Sequence, residues 1–149
     1  MTNIAEKAKI FAIKAHGSQK YGKMPYEYHL QKVVDNLLMW RDFNSFEITD
    51  EHLAVAWLHD VLEDTETTLD EINDLFGVNI GLAVLRLSKL GGEVLHYNGY
   101  IRSLKANPIA RIVKLSDTKA NLEACLLSGQ EKRAAKYARQ LNLLLEDLE

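Results

Sequence analysis

Hydrophobic residues recur along this chain at intervals of three and four, which is the period of amphipathic α-helices. The first such run follows Asn3, which forms a capping-box spacing with Glu6. A second helix is predicted to begin around His29 and to break at Asn44. Between the two helices, residues 17–28 are rich in glycine, aromatic residues and lysine, so we expect a loop there.

Start and stop signals place the remaining helices. Thr49 or Asp50 starts a third helix, and Thr68 with Glu71 starts a short helix that stops at Gly77. A helix over 79–90 and a segment over 94–106 follow. Asn107-Pro108 starts a long helix towards Gly129, and a last helix spans about 131–147. No stretch of any length alternates between polar and apolar residues. The pattern therefore predicts an all-α helical bundle of about seven or eight helices, as a single domain over residues 1–149.

The third predicted helix carries an unusual concentration of charge. Its apolar run from Trp57 to Thr65 is interrupted by one histidine and three acidic residues, which are His59, Asp60, Glu63 and Asp64. A continuous helix, at about 100° per residue, would place all four within an arc of roughly 140°. Carboxylates this close repel one another, and burying them is costly unless a cation compensates the charge. The stretch therefore predicts a divalent-cation site, although Glu63 and Asp64 alone would also suit a solvated helix end.

Two further polar positions could complete such a site. His29 opens the apolar second helix, and Asp117 lies on the long helix with Asn121 one turn later on the same face. Each has an ordinary alternative: a capping or core role for the histidine, and exposure to solvent for the Asp and Asn pair. Both interpretations stay open on the residues alone.

Composition narrows the class of protein. The 149 residues are 47% hydrophobic and 26% charged, which is ordinary for a globular domain. A formal net charge of −3 provides no polybasic region for nucleic acid or an anionic membrane. The single Cys125 excludes an intramolecular disulfide and fits a reducing compartment, and the N-terminus lacks the apolar core of a signal peptide. We expect a cytoplasmic protein with no nucleic-acid or membrane partner.

The polar positions together resemble a known family. His29, His59-Asp60 and Asp117 match the H…HD…D signature of HD-domain metal-dependent phosphohydrolases. Longer motifs resemble the hydrolase domain of RelA/SpoT-type alarmone enzymes, and they are Pro25-Tyr26-x-x-His29, His59-Asp60-x-x-Glu63-Asp64-Thr65, Lys114-Leu115-x-Asp117-x-x-x-Asn121 and Thr68-Leu69…Phe76-Gly77. The resemblance covers most of the chain, from residue 4 to residue 127. The chain is too short for the synthetase and regulatory domains of the long enzymes, so its layout is similar to that of a stand-alone small alarmone hydrolase.

The resemblance implies a site and an activity. One Mn²⁺ per chain, or another divalent transition metal, would be bound by two histidines and two aspartates, which are His29, His59, Asp60 and Asp117. Glu63 and Asp64 would orient and deprotonate the attacking water, and Asn121 would contact the nucleotide. The implied reaction removes pyrophosphate from the ribose 3′ position of (p)ppGpp.

Some positions depart from the family pattern. Lys20 stands where alarmone hydrolases usually carry an arginine that packs on the guanine base, and lysine lacks the planar surface of arginine. Tyr21 beside it could stack on the base instead. Leu30 stands where the family commonly has proline. Three functions therefore stay open: a (p)ppGpp pyrophosphohydrolase, a phosphomonoesterase or phosphodiesterase acting on another nucleotide, and a non-catalytic module that binds a nucleotide or a partner protein.

Two further expectations concern the surface. Cations for phosphate binding are sought in the loop and in the segment before Asn107, where the candidates are Lys20, Lys23, Arg102 and Lys105. A homo-oligomer is an open interpretation of the last helix, because its leucines suit either an interface or packing on the bundle. These leucines are Leu141, Leu143, Leu144, Leu145 and Leu148.

Overall fold

The structure, a computed structural model, describes residues 3–44, 46–89 and 97–148. Over these ranges the chain forms eight helices of at least eight residues, one single-turn helix and a two-stranded antiparallel hairpin. In chain order these elements are α1 Ile4–His16, β1 Lys20–Tyr21, β2 Met24–Pro25, α2 Tyr26–Asn44, α3 Asp50–Leu58, α4 Val61–Asp64, α5 Leu69–Phe76, α6 Val78–Leu87, α7 Tyr97–Lys105, α8 Pro108–Leu127 and α9 Glu131–Leu145. The prediction of an all-α bundle is confirmed.

Helix starts follow the capping residues that the sequence marks. The Asn3 side chain accepts a backbone N–H of the first turn of α1 at 2.8 Å. Capping boxes begin α3 at Thr49 and α5 at Thr68, and Asn107 caps α8 with Pro108 at its first position. The four predicted helix starts are confirmed. Capping residues mark helix starts because they accept hydrogen bonds from N–H groups that have no partner within the helix.

Two predicted boundaries involve residues outside the described ranges. The helix predicted over 79–90 corresponds to α6, which ends at Leu87, and residue 90 is not described. The segment predicted over 94–106 contains α7, and its residues 94–96 also lie outside the described ranges.

The segment between α1 and α2 is a hairpin rather than a loop. Strands β1 and β2 pair around Gly22, whose φ of 60° lies in the left-handed region that glycine adopts without steric cost. Helix α2 begins directly after β2 at Tyr26, three residues before the predicted start at His29. The prediction of a loop over 17–28 is wrong for these strands, because two-residue strands are too short to produce an alternating pattern.

The charged stretch after Trp57 is not one continuous helix. Helix α3 ends at Leu58, Asp60 has φ −106° and ψ 0°, and α4 begins at Val61. The His59 ring takes the carbonyl that helical hydrogen bonding would use, since its Nδ1 donates to Ala56 O at 2.7 Å. The prediction of a single helix is therefore wrong.

Helix α3 lies at the centre of the core. Its residues 54–58 are all buried, and the helix packs against α1, α2, α6 and α8. Fully buried side chains from the surrounding helices complete the same cluster, among them Leu30, Leu37, Ile72, Leu104 and Leu115. This packing fixes the C-terminal end of α3, and with it the turn that carries His59 and Asp60.

The leucines of the last helix pack mainly on the bundle. Leu144 is fully buried, and Leu141, Leu143 and Leu148 contact the core, whereas Leu145 is 37% exposed. Within the described residues, no helix combines the length and the apolar character that crossing a membrane requires.

His52 gives a stability prediction that does not involve the charged cluster. Its Nδ1 accepts the Thr49 backbone N–H at 3.1 Å in the capping box of α3. Burial lowers the pKa of His52 below its usual value of 6.5, and Glu51 and Glu47 raise it by less. Since the folded state binds this proton less readily than the unfolded state, the stability that the neutral ring contributes is present above pH 6.5 and is lost as the pH falls below that value.

His52→Gln keeps a capping acceptor but removes the titration. We expect variant and wild type to have similar free energies of unfolding at about pH 7.5, and the variant to become the more stable of the two as the pH falls below about 6.5. Urea unfolding across this pH range measures the difference. A difference that stays constant with pH would contradict the assignment.

Candidate metal centre

Three imidazole and carboxylate side chains from separate helical segments meet in the interior. His29 comes from α2, His59 from the turn after α3 and Asp117 from α8, and none is more than 4% exposed. One ligand atom from each lies within 4.8 Å of the other two. The Nε2 atoms of His29 and His59 are 2.9 Å and 3.4 Å from Asp117 Oδ1. Only the packing of α2, α3 and α8 brings together residues this far apart in the chain.

Asp60 places a second carboxylate beside His59, although it is not among the three residues whose ligand atoms all lie within 4.8 Å of one another, and its side chain is 22% exposed. Its Oδ2 lies 3.0 Å from His59 Nε2 and accepts a hydrogen bond from the Tyr26 hydroxyl. Burial and the charge of Asp60 raise the pKa of Tyr26, so this hydroxyl stays a donor. The Tyr26 ring is held in turn by stacking on His16, with centroids 4.5 Å apart. His59 and Asp60 therefore lie side by side at the break between α3 and α4.

The His59 ring shows that the donor set fits a cation. Its Nδ1 donates to a backbone carbonyl, so Nε2 carries a lone pair in the neutral ring. Among the described residues, this buried Nε2 has no hydrogen-bond partner, and it faces oxygens of Asp60 and Asp117. The lone pairs of this nitrogen and these oxygens converge, which is unfavourable unless a proton on Nε2 or a metal ion lies between them. A histidine whose second nitrogen donates to a backbone carbonyl is also the usual form of a metal ligand.

The electrostatics of the cluster likewise favour a positive charge at its centre. Burial lowers the pKa of His59, but Asp60 and Asp117 outweigh it and hold this pKa well above the usual value. Burial raises the pKa of Asp60, but His59 brings it down to about 2. Burial also raises the pKa of Asp117, and Lys114 and His59 outweigh that effect to keep it well below its usual range. Both carboxylates are therefore ionised, and a divalent ion would displace a proton from His59 on binding.

Glu63 and Asp64 lie in different environments. Glu63 lines the cavity in front of the cluster, and its Oε1 accepts the backbone N–H of Lys89. Both residues are exposed, and Asp64 Oδ2 accepts from Gln19 Nε2 at 3.1 Å. Although Glu63 and Asp64 are adjacent in the sequence, only Glu63 is among the described residues that line the cavity.

The cavity itself has a volume of about 230 Å³. Aromatic, acidic and basic side chains line it, and these are Tyr21, Tyr26, His29, Asp60, Glu63, Lys89, Lys114, Asp117, Asn121, Arg133, Lys136, Tyr137 and Gln140. The four cations in this lining differ from the four that the sequence suggested. Of the suggested cations, Lys105 lies instead at another cavity, with its Nζ 3.9 Å from Glu146.

Two of the three predicted substrate contacts line this cavity. The Tyr21 ring stacks on His29 with centroids 4.4 Å apart, and its hydroxyl donates to Asn121 Oδ1 at 2.6 Å. Burial and Asp117 raise the pKa of Tyr21 to about 12. Lys20 is exposed on the same strand, and neighbouring strand positions face opposite sides, so Lys20 points away from Tyr21.

Sequence reasoning missed the contribution of α9. Four of its side chains reach the cavity, and they are Arg133, Lys136, Tyr137 and Gln140. Their spacing of three, one and three residues marks one face of a helix, so a usable signal was present. Only the packing of α9 against α8 brings this face beside Asn121.

Comparison with solved structures defines the class of fold. No protein-family model matches the chain. A solved structure of a metazoan SpoT orthologue, described as hydrolysing ppGpp and as having a role in starvation responses, superposes with a TM-score of 0.73. The match covers 99% of this chain and 88% of that chain at 22% identity, which establishes the fold. This chain has the HD-type helical fold.

Curated relatives then specify the enzymes to which the chain is related. It is 30% identical over 135 residues to a guanosine-3′,5′-bis(diphosphate) 3′-pyrophosphohydrolase of Aquifex aeolicus, and 38% identical over 140 residues to the GTP pyrophosphokinase rsh of Brucella suis. The chain is a homologue of these RelA/SpoT-type enzymes. The matches cover 86% and 87% of the chain but only 18% of each relative. Because one relative is named a hydrolase and the other a kinase, the activity of this chain has to be inferred from the residues of its site.

Proposed function

We propose that this chain is a metal-dependent phosphohydrolase that removes pyrophosphate from the ribose 3′ position of (p)ppGpp, with residues 1–149 acting as one domain. The observation that carries the proposal is the donor set of the buried His29, His59 and Asp117, with the partly exposed Asp60 beside His59. It combines imidazoles with ionised carboxylates behind a polar cavity that contains four cationic side chains. This combination suits hydrolysis of a phosphate ester, and it is unnecessary in a module that only binds.

The donor set would hold one divalent transition ion, and imidazoles with hard carboxylates suit Mn²⁺. Bound there, the ion would act as a Lewis acid on a phosphoryl oxygen and make water more acidic. Glu63 lines the cavity with one carboxylate oxygen bonded to Lys89 N–H, which supports a role for Glu63 as the acceptor of a proton from the attacking water. Asp64 would support this role from the outer side of α4, where Gln19 holds it.

The remaining lining would recognise a nucleotide with two diphosphate groups. Lys89, Arg133 and Lys136 carry the positive charge that phosphate oxygens require. Tyr21 would stack on the base, and Asn121 would hydrogen-bond the nucleoside. Lys20 stays a proposed contact at the edge of the hairpin. A cytoplasmic location is consistent with such a substrate.

Metal content provides the first test. We expect about one transition ion per chain, and Mn²⁺ at roughly 100 times its dissociation constant should stabilise the fold by about 2.7 kcal/mol, because it binds only the folded site. Metal analysis and thermal unfolding with Mn²⁺ or with a chelator measure both effects. A chain that binds no metal even with Mn²⁺ added would exclude an enzymatic function of this kind.

Substrate choice provides the second test. The full chain is incubated with Mn²⁺ and, separately, ppGpp, pppGpp, common nucleotides or a generic phosphoester, with Asp60→Ala as the inactive control. Release of pyrophosphate from ppGpp and pppGpp is the expected result. Turnover of the other substrates but not of ppGpp would favour the second candidate, a phosphatase or phosphodiesterase for another nucleotide. The observation behind that candidate is the exposure of Lys20, at the position where the family carries arginine.

A further inference from the structure

Lys114 is a mostly buried cation beside the proposed metal ligands. It lies in α8 one turn before Asp117, its side chain is 13% exposed, and its Nζ is 3.2 Å from Asp117 Oδ2. It also lines the cavity. A positive charge at this position repels a metal ion and is expensive to desolvate. Its presence therefore needs a reason other than metal affinity.

The reason lies in how the two oxygens of Asp117 are used. Oδ1 faces the cluster, 2.9 Å from His29 Nε2 and 3.4 Å from His59 Nε2, and it also accepts from Asn121 Nδ2 at 3.2 Å. Oδ2 faces the Lys114 ammonium instead. The salt bridge keeps one oxygen turned away from the donor set, so the carboxylate presents a single oxygen to it.

We propose that Lys114 is a positioning residue that restricts Asp117 to one metal-facing oxygen and thereby keeps a coordination position available for water or a phosphoryl oxygen. The inference rests on the proposed function. In the absence of Lys114, Oδ2 would be free to turn towards the metal and occupy that position. Lys114 thus offsets part of the negative charge of the donor set and keeps one coordination position of a bound metal available to a reactant.

A purely structural lysine would behave differently. If Lys114 only held Asp117 in place for folding, its loss would weaken metal binding and activity together. Under the positioning role the two properties separate. Removing the positive charge leaves Mn²⁺ affinity unchanged or higher, because a repulsion disappears, whereas catalysis falls because a coordination position is lost.

Lys114→Met in the full chain tests this, since methionine fills a similar volume without charge. Binding of Mn²⁺ is titrated by electron paramagnetic resonance, water proton relaxation counts the waters on bound Mn²⁺, and kcat and KM are measured with ppGpp. We expect an unchanged or lower Kd for Mn²⁺, about one fewer water, and a kcat lower by about 10- to 100-fold, the range found for residues that orient metal ligands.

Lys119→Met is the matched control. Lys119 lies on the same helix, but its Nζ is directed to Asn36 and Met39, at 3.4 Å and 3.7 Å. This variant should match the wild type in Mn²⁺ affinity, water count and kcat. A loss of kcat in this control equal to that of Lys114→Met would overturn the proposal.

Two results for Lys114→Met would also overturn the proposal. One is a Kd for Mn²⁺ that rises in step with the fall in kcat, and the other is a water count and kcat equal to those of the wild type.

If Lys114→Met does not fold, Lys114→Arg replaces it, because arginine keeps the charge and the donors. That variant should retain the wild-type water count, and the loss of one water would contradict the positioning role. A wild type that binds no Mn²⁺ refutes the proposed function itself, which is a distinguishable failure.

Discussion

Asp117→Asn should lower the rate of ppGpp hydrolysis by at least about 10³-fold and reduce bound Mn²⁺ from about one ion per chain to nearly none. The carboxylate of Asp117 is the group that both imidazoles of the donor set face. An amide cannot neutralise a metal ion, and the substitution also leaves the Lys114 ammonium without its counter-charge. Metal analysis and pyrophosphate release measure the two losses.

Unfolding has to be separated from loss of the site, because breaking a buried ion pair destabilises by about 3–5 kcal/mol. His29→Gln removes one imidazole without changing formal charge, and it should also lose metal and activity while retaining its circular dichroism spectrum. Asp35→Asn is the surface control, since Asp35 is exposed and bonded to Gln31 at 3.0 Å. If Asp117→Asn folds and keeps one Mn²⁺ with a rate within tenfold of wild type, the cluster is not the metal centre.

The second large effect is expected at Glu63. Glu63→Gln should lower kcat by about 10²- to 10⁴-fold, the usual contribution of a general base, with Mn²⁺ binding unchanged. Asp64→Asn should have a smaller effect, because Asp64 is bonded to Gln19 and is not among the described residues that line the cavity. Steady-state kinetics at saturating Mn²⁺ compare the two variants.

Glu66→Gln serves as the control for this pair, since Glu66 is an exposed glutamate that follows the same turn. It should leave kcat unchanged. Equal losses in Glu63→Gln and Asp64→Asn, or a greater loss in Asp64→Asn, would contradict the role assigned to Glu63. Weaker Mn²⁺ binding in Glu63→Gln would instead make Glu63 part of the donor set.

Local signals account for most of the fold. Helix starts at Asn3, Thr49, Thr68 and Asn107 are predictable because a cap and its target are about three residues apart, and the helical period is read within a few turns. The exceptions are the hairpin, the start of α2 at Tyr26 and the break at Asp60. The strands are too short for a pattern, and the break depends on which carbonyl the His59 ring bonds.

In the candidate site, too, the sequence indicates some features, and only the tertiary structure determines the others. The costly charge of His59 and Asp60 in an apolar run signals a cation, since burial of such groups is rare without compensation. The partners of these groups cannot be read locally. The cations Lys89, Lys114, Arg133 and Lys136 line the cavity, whereas the suggested cations before Asn107 do not line it. Spacing along one helix does not report which face a neighbouring helix covers.

The sequence alone therefore determined the all-α class, the four capped helix starts and the residue types able to hold a metal, because caps, helical period and side-chain chemistry act over a few residues. The tertiary structure alone decided that His29 and Asp117, 88 positions apart, meet across the end of α3. It also decided that Lys114 pairs with Asp117 Oδ2, that Glu63 and Asp64 diverge, and that α9 completes the cavity. These arrangements follow from how the helices share one core, and no local stretch of the chain contains that information.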